Sequence, residues 1–250
     1  MAVLILLPPS EGKTAPSAGA PVDLAALSHP ELSDARRRVG TALAKVSAQR
    51  NALTVLHAGA SIAPEVARNT TLWTNPAARA SQVYTGVLYD SAGAADWNAA
   101  ELERAAAHVR IVSALWGAVS PTDHIPAYRL SMGTTLPRLG GLAAFWRARL
   151  GDALARLSAD GPVIDCRSSD YAAAWRAPTG TLAVRVEQVR AGKRTVVSHH
   201  AKHTRGLLTG ALVRADATPT NPDDVAHIAS GLPGVTAVEL TETTLTLVTA

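Results

Sequence analysis

The chain has a single cysteine, Cys166, a single phenylalanine, and aromatic residues at only 4% of its 250 positions. One thiol excludes an intramolecular disulfide and a cysteine-only metal site, and cysteine this scarce is expected of a protein of the reducing cytoplasm. Long apolar runs are also missing. No stretch approaches the roughly 18 consecutive apolar residues that span a bilayer, so no membrane partner is expected. The opening MAVLILLPPSEGK lacks a basic segment before its apolar run and a small-residue cleavage site after it, and reads as a buried strand rather than a signal peptide. Excess charge is small: 24 basic against 20 acidic residues leave a formal +4, with a pI near 9.6. That mild field is compatible with a phosphate-rich partner and does not by itself require one. There is no internal repeat, no low-complexity tail and no linker, so residues 1–250 are expected to form a single domain. With 47% hydrophobic and 18% charged residues, the chain can bury a full core without a disulfide or metal staple.

What is present alternates between strand and helix patterns. Val3 to Leu7 is a continuous apolar run closed by Pro8-Pro9, the pattern of a strand covered on both faces. Glu31 to Arg50 carries Leu32, Ala35, Val39, Leu43 and Val46 at helical spacing, which puts Arg36-Arg37-Arg38 mostly on the solvated face. Residues 59–89 are polar and broken. A helix is expected over Ala99–Val109, then a strand over Val109–Val112 running into a small-residue turn and a short helix before Pro121. PTDHIPAYRLSMG is too irregular for a regular element. A helix over Ala143–Leu157 and a strand over Pro162–Asp165 follow. Thr181–Val189 and Arg194–His199 alternate with period two around Ala191-Gly192-Lys193, predicting a hairpin. A helix over Thr204–Ala215 and two terminal strand-like runs complete the chain. The order predicts an α/β fold, a mixed β-sheet surrounded by helices. If the strands ending at Leu7, Val112 and Ile164 run parallel, their loops share the edge where open sheets bind ligands.

Five segments carry candidate chemistry. Ser10-Glu11-Gly12-Lys13-Thr14 resembles the end of a P-loop, but Leu7 stands where the leading glycine belongs, so it is not a Walker A motif. Lys13 could still face an anion as a point charge beside loop amides. Tyr84-Thr85-Gly86 with Tyr89-Asp90 reads on its own as packing tyrosines at a turn. Tyr128-Arg129 places a guanidinium fork in a proline-containing loop, suited to phosphate or carboxylate. Cys166-Arg167-Ser168-Ser169-Asp170-Tyr171 links a strand to a helix, where the serines read as caps or as part of an anion site, and Cys166 as an inert buried thiol. Ser198 to Gly206 holds three histidines in close succession without the H-E-x-x-H spacing or any carboxylate, so no metal site is expected. Lys202 and Arg205 there fit phosphate contacts better.

At these residues the sequence resembles the YaaA peroxide-stress protein family. The matching pieces are LILLPPSEGKT, VYTGVLYD, IVSALWGAVSPTDHIPAYRLSMG, the FW of LAAFWRARL, VIDCRSSDY and AKHTRGLL, spanning residues 3 to about 215. The resemblance implies a cytoplasmic protein of the oxidative-stress response that limits damage by unincorporated iron. It also implies a positively charged cleft associated with duplex DNA. The positions in family-like motifs are Lys13, Thr14, Tyr84, Thr85, Tyr128, Arg129, Ser168, Asp170, Tyr171, Lys202 and Arg205; none gains a catalytic role this way, and no cofactor is implied. The chain departs from the proteobacterial branch in PPSEGKT, where that branch has a shorter S-P-A-K-T. It also lacks a glycine hairpin in LAKVSAQRNALTVLHAGASIAPEVARN, where that branch has a helix-hairpin-helix element.

Two functions follow as expectations. A nucleic-acid-binding stress protein would use Lys13, Arg129, Lys202 and Arg205 on phosphates in a basic cleft at the strand ends, with Tyr84 and Tyr128 free to stack on an exposed base. An enzyme acting on a nucleotide or another phosphorylated small molecule would hold phosphate with Lys13 and Arg129, with Asp170 as base and Tyr128 or Tyr171 as proton donor. A deep narrow pocket favours the second, a broad basic groove the first.

Overall fold

The computed structural model describes residues 3–158, 161–190, 193–196 and 198–250. In chain order its main-sheet strands are β1 (Leu4–Leu7), β2 (Val109–Ser113), β3 (Gly117–Val119), β4 (Val163–Asp165), β5 (Leu182–Arg190), β6 (Lys193–Val196), β7 (Val235–Leu240) and β8 (Thr244–Thr249). The helices used below are α1 (Ser33–Ser47), α2 (Val87–Ala92), α3 (Ala99–His108), α4 (Ser198–Arg214) and α5 (Pro222–Ser230). The sheet order is β7-β8-β5-β4-β1-β2-β3, with β6 paired to β5. This is a mixed α/β sheet. β1 runs parallel to β2 and β4, β4 to β5, and β5 to β8, while the β2/β3, β5/β6 and β7/β8 pairs are antiparallel.

β1 is LILL, four apolar residues with no polar alternation, and every one is buried. Such a run belongs in the centre of a sheet with both faces covered, which is where it lies. Helix α3 begins with a reciprocal cap. The Asn98 side chain accepts from the Glu101 amide at 3.0 Å, and Glu101 Oε2 accepts from the Asn98 amide at 2.8 Å. The helix thus starts close to the residue where its apolar spacing begins.

Several expected elements differ. The segment before Pro121 is not a short helix but β3, which folds back on β2. Gly117 makes that reversal at φ 73°, with the Trp146 ring where a Cβ would be. The helix expected over residues 143–157 is two short ones, Leu142–Arg147 and Gly151–Ala155. The Trp146 carbonyl accepts from both Arg149 and Leu150 amides at 2.9 Å, a tightened turn that ends the first helix. α4 starts at Ser198 rather than Thr204, so the second hairpin strand stops at Val196 instead of reaching His199. The turn residues Ala191 and Gly192 and the side chains of His199 and His200 lie outside the described residues.

α1 falls within the expected range, but Arg36 does not face solvent: it is 0% exposed. Its Nε donates to Trp116 O at 2.9 Å, and its Nη2 donates to Ser28 O at 2.6 Å and Ala118 O at 2.8 Å. Burial pulls the guanidinium down to about 10, against the opposing pull of Asp123, and it remains charged at neutral pH. The charge therefore ties α1 to the edge strand β3 instead of decorating a face.

Candidate functional site

The chain leaves β1 towards β2 on one side of the sheet and leaves β4 towards β5 on the other. Loops that diverge from neighbouring parallel strands open a crevice at their carboxyl ends, the position where open α/β sheets bind ligands. A cavity of about 290 Å3 lies in this crevice. Pro8 to Gly12 form one wall, Cys166, Ser168 and Tyr171 a second, Thr85 to Tyr89 a third, and Lys202 with Arg205 complete the lining. Of the three strand-end loops expected to gather, those after β1 and β4 meet in this cavity, whereas the segment after β2 folds straight back into β3 and lines none of it.

Beneath the first wall, Lys13 lies half-buried and bridges backbone to backbone with Tyr84. Its Nζ sits 4.4 Å from the Tyr128 ring centre and 5.6 Å from that of Tyr84, and donates to Ser10 O at 2.7 Å. Burial lowers its pKa to about 7; Arg129 pushes the same way, while Glu11 and Glu65 oppose it. The ring faces favour the charged form as well, so the amine is poised near neutrality rather than fixed in one state.

Tyr84 and Tyr128 belong to the core. Their hydroxyls lie 2.9 Å apart, and Tyr128 also lies 2.7 Å from Ser113 Oγ. Ser113 Oγ accepts from the Leu115 and Trp116 amides at 3.2 and 3.1 Å, which uses both of its lone pairs. Its own proton therefore goes to Tyr128, whose hydroxyl shares one further hydrogen bond with that of Tyr84. Burial raises Tyr84 to about 12 and Tyr128 well above its ordinary value, so the relay stays neutral. Neither ring is an exposed platform for a base.

Arg129 is already engaged. Its Nη2 lies 2.7 Å from Glu11 Oε2, its Nη1 donates to Glu11 O at 3.0 Å, and Glu65 lies 3.9 Å away. Its backbone is clamped by buried Asn69, whose Oδ1 accepts from the Arg129 amide and whose Nδ2 donates to the Arg129 carbonyl, both at 2.9 Å. The arginine thus fastens the loop after β1.

On the opposite wall, Ser168 precedes a one-turn helix and makes no side-chain cap bond. Ser168 and Asp170 are exposed, while Tyr171 is buried and burial raises its hydroxyl. Cys166 is 0% exposed, its thiol pushed up to about 12 by burial. Arg167 is a core residue, paired with Asp165 at 2.7 Å and donating to Trp175 O at 3.0 Å. Above the cavity, Lys202 is exposed and Arg205 half-buried. Nε and Nη2 of Arg205 both donate to Val184 O, at 3.1 and 2.7 Å, leaving Nη1 without a protein acceptor among the described residues.

Gly206 and Gly210 bring α4 against α2. A Cβ at either position would run into a backbone carbonyl, that of Leu88 or of Ala92. This close approach sets Lys202 and Arg205 over the crevice.

Of the positions expected from sequence, Thr85, Ser168, Tyr171, Lys202 and Arg205 line the cavity. Lys13, Tyr84, Tyr128 and Arg129 support its first wall from behind. Thr14 is exposed, its amide bonded to Val83 O. Sequence reasoning passed over Ser10, Glu11, Tyr89 and Cys166 as lining; for Ser10 and Glu11 the position just after β1, and for Cys166 the position just after β4, was the available signal, while Tyr89 reaches the cavity from α2. Among the described residues, no group of three or more His, Cys, Asp or Glu side chains is placed to hold a metal, and no helix is long and apolar enough to cross a membrane.

These features define an α/β protein with a cation-rimmed cavity at a topological switch point. A profile of the family described as "Peroxide stress protein YaaA" matches residues 3–231, and the chain belongs to that family. A UPF0246 protein of Streptomyces coelicolor is 44% identical over 230 residues, covering 90% of this chain and 88% of that protein. One of Corynebacterium efficiens is 45% identical over 254 aligned residues, covering 98% of this chain and 100% of that protein. A UPF0246 protein of Burkholderia lata is 32% identical over 157 residues, 58% of this chain and 60% of that protein.

Proposed function

We propose that this protein serves the peroxide-stress response of the cytoplasm, limiting iron-linked damage, by binding a phosphate-bearing small molecule of nucleotide size in the strand-end cavity. The single domain expected from sequence is part of this reading, supported by one apolar cluster running from Val3 to Leu247. The observation that carries the ligand reading is the junction of Lys202 and Arg205 with the hydroxyl-bearing loops after β1 and β4 around one partly open cavity. Its volume of about 290 Å3 lies near the lower end of the roughly 300–1,000 Å3 typical of small-molecule sites. Phosphate would meet Lys202 and Nη1 of Arg205 at the rim. Tyr171, on the second wall, and its exposed neighbour Asp170, which does not itself line the cavity, are the groups proposed to exchange a proton with a bound substrate if the site turns it over.

Duplex DNA is the second reading, favoured by the exposure of Lys202 at the rim and by the formal charge of +4. Against it, Arg129 is spent on Glu11 and Lys13 is folded onto tyrosine rings, so two of the four cations expected in a basic cleft are turned inward. Anisotropy of a labelled duplex across a salt series, with a mononucleotide as competitor, separates the readings. Displacement or no duplex binding fits the small-ligand site. Steeply salt-dependent duplex binding that nucleotide leaves unchanged overturns it.

A further inference from the structure

A second concave surface shares no lining residue with the strand-end cavity. It lies between the outer face of α1 and the turn Pro137–Leu139, with a volume of about 550 Å3. Its floor is aliphatic: buried Val46, half-buried Ala42 and Leu139, and Pro137. Its rim carries Arg37, Arg38, Lys45 and Arg138, all exposed, and no carboxylate contributes to the lining. Among the described residues none of these four cations makes an ion pair or a side-chain hydrogen bond; Arg38 alone has a ring contact, 5.4 Å over Phe145. The other exposed arginines with structural roles, such as Arg194 and Arg214, are paired with glutamates at 2.7 and 2.9 Å. Four like charges around an apolar floor repel one another, and a partner of opposite charge relieves that repulsion.

The chemistry of the floor selects the partner. A phosphate backbone would satisfy the rim but leave the aliphatic floor uncovered, and the lining offers no aromatic ring on which a base could stack. A carboxylate-rich peptide with one aliphatic residue uses both parts, since guanidinium forks take carboxylates in bidentate fashion and an aliphatic anchor fills the floor. Arg38 and Lys45 are seven residues apart on α1, which at 1.5 Å per residue is about 10 Å, the span from one residue to the third beyond it in an extended strand. We propose that this groove docks an acidic, extended segment of a partner protein in which an aliphatic side chain sits between carboxylates three residues apart.

The test uses a fluorescein-labelled peptide with a central leucine flanked by glutamates at that spacing, titrated with the full-length protein. The proposal expects saturable, salt-sensitive binding. It further expects a loss of about tenfold or more in the Arg38→Glu, Arg138→Glu double variant and in a peptide with serine for leucine. A melting curve matching the parent certifies the double variant, and the leucine–serine comparison on the parent decides the matter without it. Absence of peptide binding overturns the proposal. So does equal binding of the serine peptide, which reports charge alone. Displacement of the peptide by a short DNA duplex, with the duplex itself lost in the double variant, makes the groove a nucleic-acid surface and overturns it as well.

Discussion

Arg129 grips Glu11 twice, through the carboxylate at 2.7 Å and through the backbone carbonyl at 3.0 Å. Glu11 stands in the cavity wall, so its negative charge faces the ligand space with a guanidinium behind it. A partly exposed pair of this kind contributes roughly 0–1 kcal/mol to stability, so breaking it should move the melting point little. Its effect on an anionic ligand should be larger. Glu11→Gln removes repulsion from the wall and is expected to strengthen phosphate-ligand binding by about two- to fivefold, and Arg129→Gln to weaken it by a similar factor. Calorimetric titration of both variants reads this directly; the same sign of change in both would show that the pair acts only by holding the loop.

Lys13 gives the fold a pH signature. Its pKa is about 7 in the fold against an ordinary value of 10.5, so between these pH values the unfolded chain binds more protons than the folded one. Stability from this group therefore rises as pH rises from about 7 towards 10.5, and below about 7 the cost of burying the charged amine is fully present. His29 and His108, lowered by burial from 6.5, have delivered their contribution by pH 7, and the buried tyrosines and Cys166 act in the opposite sense only from about pH 9 upwards. Denaturant melts between pH 7 and 9 should show stability increasing with pH in the parent and a flatter profile in Lys13→Met. Identical slopes would mean the amine stays charged throughout.

How far the sequence exposed this arrangement differs by element. The runs ending at Leu7 and Asp165 announce buried strands because both faces must be apolar, and their loops carry the cavity walls. The start of α4 is hidden because the first buried side chains among its described residues are Ala201 and Thr204, small or polar residues that periodicity in large apolar residues does not register. Arg36 was assigned to solvent by its charge. Its burial depends on three carbonyls from Ser28, Trp116 and Ala118, brought together only by tertiary packing. α5 went unread although Asn221 caps it by accepting from the Asp224 amide and Pro222 opens its first turn. For the site, residue type pointed to Lys13 and Arg129. Sequence could not show that Glu11 and two tyrosine rings would claim them first.

The approach of α4 to α2 is a single-residue requirement. Gly206→Ala places a methyl against the Leu88 carbonyl, and backbone cannot yield as a flexible side chain does. Overpacking of this kind typically costs about 1–3 kcal/mol, which for a chain of this size lowers the melting point by roughly 2–12 °C. Because the same shift moves Lys202 and Arg205, nucleotide affinity should fall with it. An unchanged melting point would show that the two helices separate freely.

Cys166 is expected to be silent towards peroxide. It touches the cavity, but burial keeps its thiol protonated up to about pH 12, and the thiolate is the reactive form. Mass spectrometry of the folded protein after peroxide treatment should find Cys166 unmodified, whereas unfolding should expose it to a maleimide. Sulfenic acid at Cys166 in the folded protein would instead make it a sensor.

The central claim is that the crevice between β1 and β4 holds a phosphate-bearing ligand under Lys202. The most direct measurement is thermal stabilisation by inorganic phosphate and by mono-, di- and triphosphate nucleosides, in the parent and in Lys202→Ala, whose exposed side chain supports nothing else among the described residues. At about 100 times Kd a bound nucleotide adds roughly 2.7 kcal/mol, a rise of about 5–10 °C for a chain of this length. The account predicts such a rise for at least one nucleotide, sharply reduced in Lys202→Ala. No rise with any of them, or a rise that Lys202→Ala leaves intact, would contradict it.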